Sequence, residues 1–315
     1  MVGKKKLISI LIPTYNEEEN VELMYQSLIN LYNKQLKNKY NIEIIFIDNY
    51  SIDRTREKIE KLCHKDKRVK AIFNARNFGQ IRSPFYGLLQ TNGNCAIIIP
   101  ADFQDPPEKI IDFIKEWENG YKIVIGKKIK SKENFLMFLI RSIYYNLMKK
   151  ISETEQIKHF TGFGLYDKEF IKVLRKLEDP FPYLRGIVSE LGFKRKEIEY
   201  VQQKRRAGKT KNNWFSLYDV AMLGITSYSK IVLRLATFIG FIIAGISLLI
   251  ALYYLIMKLI FWDRYPLGTA PIIISIYFLG AVQLFFIGLL GEYILNINIR
   301  IMKRPLVIEE RRINF

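Results

Sequence analysis

A chain of 315 residues is long enough for one large domain or two small ones, and burying a core poses no difficulty at that length. Its 49% hydrophobic and 25% charged residues are segregated: the first two thirds are lysine-rich, the last third is almost wholly apolar, and the formal net charge is +18. No nucleic-acid reader motif accompanies that charge, so nucleic acid is set aside as a partner and membrane phosphates are favoured.

The basic start MVGKKKLISILIP has an apolar run too short for a signal peptide, and residues 7–13 are read as a first strand. Further strands are predicted at 42–48 (IEIIFID), 69–74 (VKAIFN), 95–100 (CAIIIP) and 121–126 (YKIVIG). Each is nearly continuous in apolar residues, as strands buried on both faces are. Between them, 18–36, 53–64, 80–90 and 107–119 have helical length and composition. The alternation predicts an α/β domain over residues 1–212 built on a mostly parallel, doubly wound sheet, with ligands bound outside the carboxyl ends of the strands. The two cysteines, Cys63 and Cys95, form neither a disulfide framework nor a metal spacing, which fits a reduced cytoplasmic setting.

The strand ends carry the chemistry. After the first come Pro13, Thr14, Tyr15, Asn16, Glu17 and Glu18, where Tyr15 can stack on a base and Asn16 and Glu17 can bond base or ribose. After the second come Asp48, Asn49, Tyr50 and Ser51; Asp48 can hold a pyrimidine edge, although capping of the next helix would also explain an acid or hydroxyl there. The fourth ends in Pro100-Ala101-Asp102-Phe103-Gln104-Asp105, and the Asp102 carboxylate with the Gln104 amide makes an oxygen site for Mg²⁺ or Mn²⁺.

Beyond this domain the apolar residues gather into longer runs. Residues 134–151 read as an interfacial helix and 213–231 as a juxtamembrane helix. Residues 232–257 and 271–297 each reach the length needed to cross about 30 Å of hydrocarbon, joined by an extracytoplasmic loop at 258–270 and followed by a basic tail at 298–315. The lysines and arginines flanking the spans place the N-terminal domain and both termini in the cytoplasm of what is expected to be a bacterial plasma membrane.

The strings ISILIPTYNEEENV, IIFIDNYSIDRT, ARNFGQ and IIIPADFQDPPE resemble, in order and spacing, the GT-A domain of the family 2 glycosyltransferases, and within them the polyprenyl-phosphate glycosyltransferases. The stretch KRRAGKTKNNWFSLYDVAMLGITSYSK is similar to that group's basic loop and entry to its first span. The resemblance implies inverting transfer of a sugar from a UDP- or GDP-sugar to a polyprenyl phosphate at the cytoplasmic membrane face. It places Pro13, Tyr15, Glu17 and Asp48 around the nucleotide, and Asp102 and Gln104 on metal and diphosphate positions. It sets Arg205, Lys209 and Lys211 on the basic phosphate loop, and Lys127 and Lys128 on a stretch facing the acceptor phosphate. Asp102 and Arg205 are then the expected catalytic residues, and a homo-oligomer is left open.

Four departures accompany the resemblance. Pro100 stands where relatives carry the first aspartate of their D-x-D element, and Asn49 and Tyr50 replace an aspartate and a glycine. Gly162-Phe163-Gly164-Leu165 stands where many have D-F-R-L. They admit a second reading, a catalytically silent membrane-anchored nucleotide-sugar-binding or scaffold protein. A processive polysaccharide synthase is a third, although Gln202-Gln203-Lys204-Arg205-Arg206 lacks the tryptophan of that class's Q-x-x-R-W element.

Overall fold

The computed structural model describes residues 5–130, 157, 160–180, 182–203, 269–302 and 304–315, with isolated positions between 222 and 261. The expected helix at 134–151, nearly all of that at 213–231, most of the first span and of the loop after it, and Arg205, Lys209 and Lys211 lie outside the described residues.

Eight strands form one sheet. They are β1 (Lys6–Thr14), β2 (Tyr40–Asp48), β3 (Val69–Asn74), β4 (Cys95–Ile98), β5 (Ile123–Lys130), β6 (Phe160–Asp167), β7 (Arg195–Val201) and β8 (Glu309–Ile313), in the order β7-β5-β6-β4-β1-β2-β3-β8. All run in one direction except β6 and β8, which pair antiparallel with their neighbours. Helices α1 (Val21–Leu31), α2 (Thr55–Lys65) and α4 (Lys109–Glu118) cover one face, and α3 (Gly79–Leu89), α5 (Lys168–Leu174) and α6 (Leu184–Glu190) cover the other.

Strand alternation explains the two layers. On β2, Ile42, Ile44 and Phe46 enter the core beneath α1, α2 and α4, whereas Ile45 and Ile47 enter the core beneath α3, α5 and α6. Burying such a side chain contributes about 1.5–3 kcal/mol, so a strand apolar on both faces is held from both sides. The five predicted strands and four predicted helices all form, with ends shifted by a few residues; the first helix closes in a π-helical turn at Tyr32–Leu36.

The three strands that the apolar pattern does not mark are β6, β7 and β8. β6 contains the G-F-G-L string, and its central ring Phe163 sits 4.8 Å from Phe113 of α4 and 5.5 Å from Tyr200 of β7. The flanking glycine has a steric reason. A Cβ on Gly164 would meet the Val124 carbonyl oxygen at 2.6 Å and the Ile125 Cα at 3.2 Å, so the arginine of D-F-R-L has no room in this sheet. β8 lies in what the sequence presents as a basic tail; instead of trailing free, Glu309–Ile313 extends the sheet along β3.

A further helix, α7 (Thr269–Ile301), has 33 residues and contains the second expected span. Its window Phe278–Leu295 has a mean hydropathy of 1.8 with no part buried, which makes it long and apolar enough to cross a membrane.

Replacing Gly164 by Ala is expected to destabilise the protein by about 1–3 kcal/mol, because the added methyl meets backbone that cannot retreat without parting β5 from β6. Thermal denaturation of the two purified proteins measures this, and equal melting temperatures would mean that the strand spacing has slack.

Candidate active site

The strand order reverses between β1 and β4, where folds of this kind bind ligands, and the expected site residues that the structure describes lie toward the carboxyl ends of the parallel strands. The register sets Pro13 beside Ile47 and Thr14 beside Asp48. Beyond these strands the loops after β1 and β2 are fastened together. The Asn16 amide donates to Ser51 Oγ at 2.8 Å, the Ile52 amide donates back to Asn16 Oδ1 at 2.8 Å, and the Glu17 amide donates to Thr55 Oγ1 at 2.8 Å. Asn16 takes a positive φ of 53°, which asparagine tolerates better than most residues. Glu17 accepts from Asn20 Nδ2 at 2.7 Å, and Pro13 and Tyr15 are half-buried.

Asp48 is fully buried. Its carboxylate accepts from the Ser51 amide at 3.0 Å and from the Ser51 hydroxyl, and Arg56 Nε stands 3.2 Å from Oδ2. Burial raises its pKa above the usual carboxylate range, while the Ser51 hydrogen bonds and the Arg56 charge pull the other way. In this arrangement the side chain shapes the 48–56 turn from beneath. Arg56, which the sequence reading passed over, is its counter-ion.

Asn49, the expected aspartate position, has a reason to be an amide. Its Nδ2 donates to Asn77 Oδ1 at 2.8 Å and to the Gly79 carbonyl at 3.4 Å, and its Oδ1 accepts from Asn74 Nδ2 at 3.1 Å and the Phe78 amide at 2.9 Å. One side chain thus pins the A-R-N-F-G loop to the end of β2, and a carboxylate cannot make the two donations. Next to this loop Arg82 of α3 has its pKa pushed down by burial and then by the charges of Arg76 and Arg304. Arg304 follows α7 by three positions in the sequence.

The loop after β4 carries the expected metal pair. The Gln104 amide donates to Asp102 Oδ1 at 3.1 Å, closing a tight turn in which Phe103 has a φ of 59°. Asp105 faces inward and accepts from the buried Tyr200 hydroxyl; burial pushes its carboxyl up, against the Lys128 charge and the Tyr200 bond. The Gln203 amide donates to the Gln104 carbonyl at 3.1 Å, so the end of β7 is tied directly to this loop. Among the described residues no three His, Cys, Asp or Glu side chains gather as a metal set. One carboxylate and one amide do fit a Mg²⁺ or Mn²⁺ that takes its remaining ligands from water and phosphate oxygens.

The two lysines of β5 part company, since neighbours on a strand point to opposite faces. Lys127 pairs with Glu197 of β7 at 2.9 Å, whereas Lys128 lies close enough to act on Asp105. Asp105, Tyr200, Arg56 and Asn74 are the residues here that the sequence reading missed. QDPP stood in plain view, but nothing local pairs Asp105 with a tyrosine 95 positions on.

Exchanging Asn49 for Asp leaves a carboxylate against two carbonyl-type acceptors. It should lower stability by about 1–3 kcal/mol at neutral pH, read by denaturant unfolding of the purified protein. An Asn49→Asp protein as stable as the original would remove the amide clamp from the account.

The model of glycosyl transferase family 2 matches residues 9–174. The SfII prophage-derived bactoprenol glucosyl transferase of Shigella flexneri is 35% identical over 299 residues, covering 95% of this chain and 96% of that protein. The prophage bactoprenol glucosyl transferase homolog of Escherichia coli K12 is 33% identical over 305 residues, covering 96% and 98%. Among solved structures, mannosyl-3-phosphoglycerate synthase from Rubrobacter xylanophilus shares the fold with a TM-score of 0.50 at 15% identity, covering 75% of each chain. With a family match over more than half its length and relatives alike from end to end, this chain belongs to glycosyl transferase family 2.

Proposed function

We propose that this glycosyltransferase moves a sugar from a nucleoside diphosphate donor to the phosphate of a polyprenyl lipid at the membrane surface, with inversion at the anomeric carbon. The relatives named as bactoprenol glucosyl transferases support a polyprenyl acceptor and make glucose the first sugar to try. The observation that carries the reading is the way the apolar segment joins the sheet.

β7 ends at Val201 and β8 begins at Glu309, and these are the two edge strands of one sheet. β7 runs parallel to β5, and β8 runs antiparallel to β3 with Glu309 opposite Asn74, so the chain leaves and returns at the carboxyl end where the site lies. Both ends of the segment are therefore on one side of any membrane, and the number of crossings between them is even. With α7 as one crossing, the partner falls in the earlier apolar run at 232–257. Seven residues lie between Ile301 and Glu309, and the eight steps of chain reach at most about 28 Å, which keeps the site near the lipid headgroups.

A phosphate acceptor is already anionic at neutral pH, so its oxygen attacks the anomeric carbon without a strong general base while the bond to the donor diphosphate breaks. Position and charge then do most of the work. The Tyr15, Asn16 and Glu17 loop, held over the Asp48 turn, receives base and ribose with Pro13 at its root. Lys128 and the Arg205, Lys209 and Lys211 loop neutralise phosphates, with Lys127 steadying the neighbouring strand. Asp102 and Gln104 would hold Mg²⁺ or Mn²⁺, which when bound offsets charge on the leaving diphosphate.

Purified full-length protein in lipid nanodiscs, given undecaprenyl phosphate and a panel of UDP- and GDP-sugars with and without Mg²⁺ or Mn²⁺, should form a labelled lipid from one donor. Nucleotide binding without transfer from any donor would favour the silent binding protein instead. Asp102→Ala should lower kcat by about 100-fold or more while leaving the melting temperature in place. Near-normal turnover would take Asp102 out of the reaction. Because Cys63 and Cys95 are both buried, single cysteines placed in 258–270 can report topology against a low background. They should react with an impermeant maleimide only from outside the cell, and labelling from the cytoplasmic side alone would refute the pair of crossings.

A further inference from the structure

The C-terminal strand also reaches the nucleotide loops through its side chains. At the irregularity in the β3 and β8 pairing, between Phe73 and Asn74, the strand presents Glu310 to Arg56. Glu310 Oε2 lies 2.8 Å from Arg56 Nη2, which also donates to the Asn74 carbonyl at 3.4 Å. The same guanidinium places its Nε 3.2 Å from the buried Asp48 carboxylate. Its plane is confined by two rings, with Phe73 centred 5.1 Å away and Tyr50 5.8 Å away.

From Asp48 the contacts continue to Ser51, and Ser51 Oγ accepts from the Asn16 amide beside Tyr15. A continuous polar path therefore runs from the strand that follows the membrane helix to the loop that receives the base. Asp48 is fully buried, and a buried carboxylate deprived of its cation is strongly unfavourable, so the turn depends on where Arg56 sits. Arg56 is a flexible side chain on the first turn of α2, and Glu310 fixes its far end.

We infer that Arg56 and Glu310 are positioning residues of the nucleotide site, through which the seated C-terminal strand sets the affinity for the nucleoside diphosphate part of the donor. The inference rests on the donor site proposed above. Both residues act through the Asp48 turn and the loop after β1, so their loss should appear in nucleotide affinity and donor KM and leave kcat nearly intact.

The test uses full-length protein in nanodiscs, with UDP and GDP as probes in calorimetric titration and donor kinetics alongside. Glu310→Gln should weaken nucleotide binding roughly three- to fivefold, the scale of a half-exposed ion pair, with kcat changed less than about twofold. Arg56→Ala should weaken it by about tenfold or more, and adding Glu310→Gln to Arg56→Ala should weaken it no further. Arg56→Lys, the milder change, should fall between and keeps the test decisive if Arg56→Ala fails to fold. Arg312→Ala is the control from the same strand. Arg312 pairs with Glu309 and bonds Tyr86 and Gln90 on the opposite side, and its loss should leave nucleotide affinity unchanged. Binding by Glu310→Gln equal to wild type, or weakening that adds fully in the double variant, overturns the inference alone. Wild-type protein that binds neither nucleotide overturns the donor site and this inference together.

Discussion

One sheet holds both ends of the apolar segment, and that closure constrains everything around it. The strands that border residues 202–308 are the two outermost of eight. At about 4.8 Å per strand, exit and return stand roughly 34 Å apart across the carboxyl edge. The segment thus straddles the row of loops in which the site is built. A catalytic domain joined by one flexible linker could turn any face to the lipid, whereas one joined at both edges cannot. The same closure answers a hazard of open sheets, since β8 covers the edge of β3 with Glu309, Glu310, Arg311 and Arg312, charged residues that discourage pairing with another chain.

Within that frame the loops are rigid for different reasons. The turns after β1 and β2 hold each other through Asn16, Ser51, Glu17 and Thr55, and the turn after β3 hangs on Asn49. The loop after β4 is fixed from behind by Tyr200 on Asp105 and by Gln203 on the Gln104 carbonyl. β7 therefore links the Asp102 turn to the basic loop that follows it in sequence. A displacement of the chain at Gln203 would be felt at Gln104 through a backbone hydrogen bond rather than a flexible side chain.

How much of this was legible in the sequence depended on the kind of signal. Strands buried on both faces announce themselves, as IEIIFID and VKAIFN do, because one apolar run serves two cores. β6 was hidden by two glycines, one of which a neighbouring carbonyl demands, and β7 and β8 by charges suited to sheet edges. Those three strands owe their pairing to partners far along the chain, which no local window contains. The site shows the same division. Its loops were found because they follow legible strands, but the partners that fix them, Arg56 on Asp48 and Tyr200 on Asp105, are set by packing across the sheet. Asn49 looked like a defect beside the family pattern, and the four groups around it make it a clamp.

The thin acidic complement of the β4 loop follows from the same accounting of partners. Pro100 supplies no ligand, and the Asp105 carboxyl faces Tyr200 in the interior, which leaves Asp102 as the carboxylate of the turn. Two further acids there would suit a bare cation, yet they would also repel a donor that brings a diphosphate and an acceptor that brings a phosphate. In a reaction whose two substrates are both anions, fewer fixed negative charges and more cations are the economical arrangement. The distribution here agrees, with Lys128 close to the loop and Arg76, Arg82 and Arg304 crowded at the neighbouring one. Proline at position 100 then reads as part of an electrostatic balance shifted toward phosphate, in which most of the charge compensation falls to side chains at the carboxyl end of the sheet.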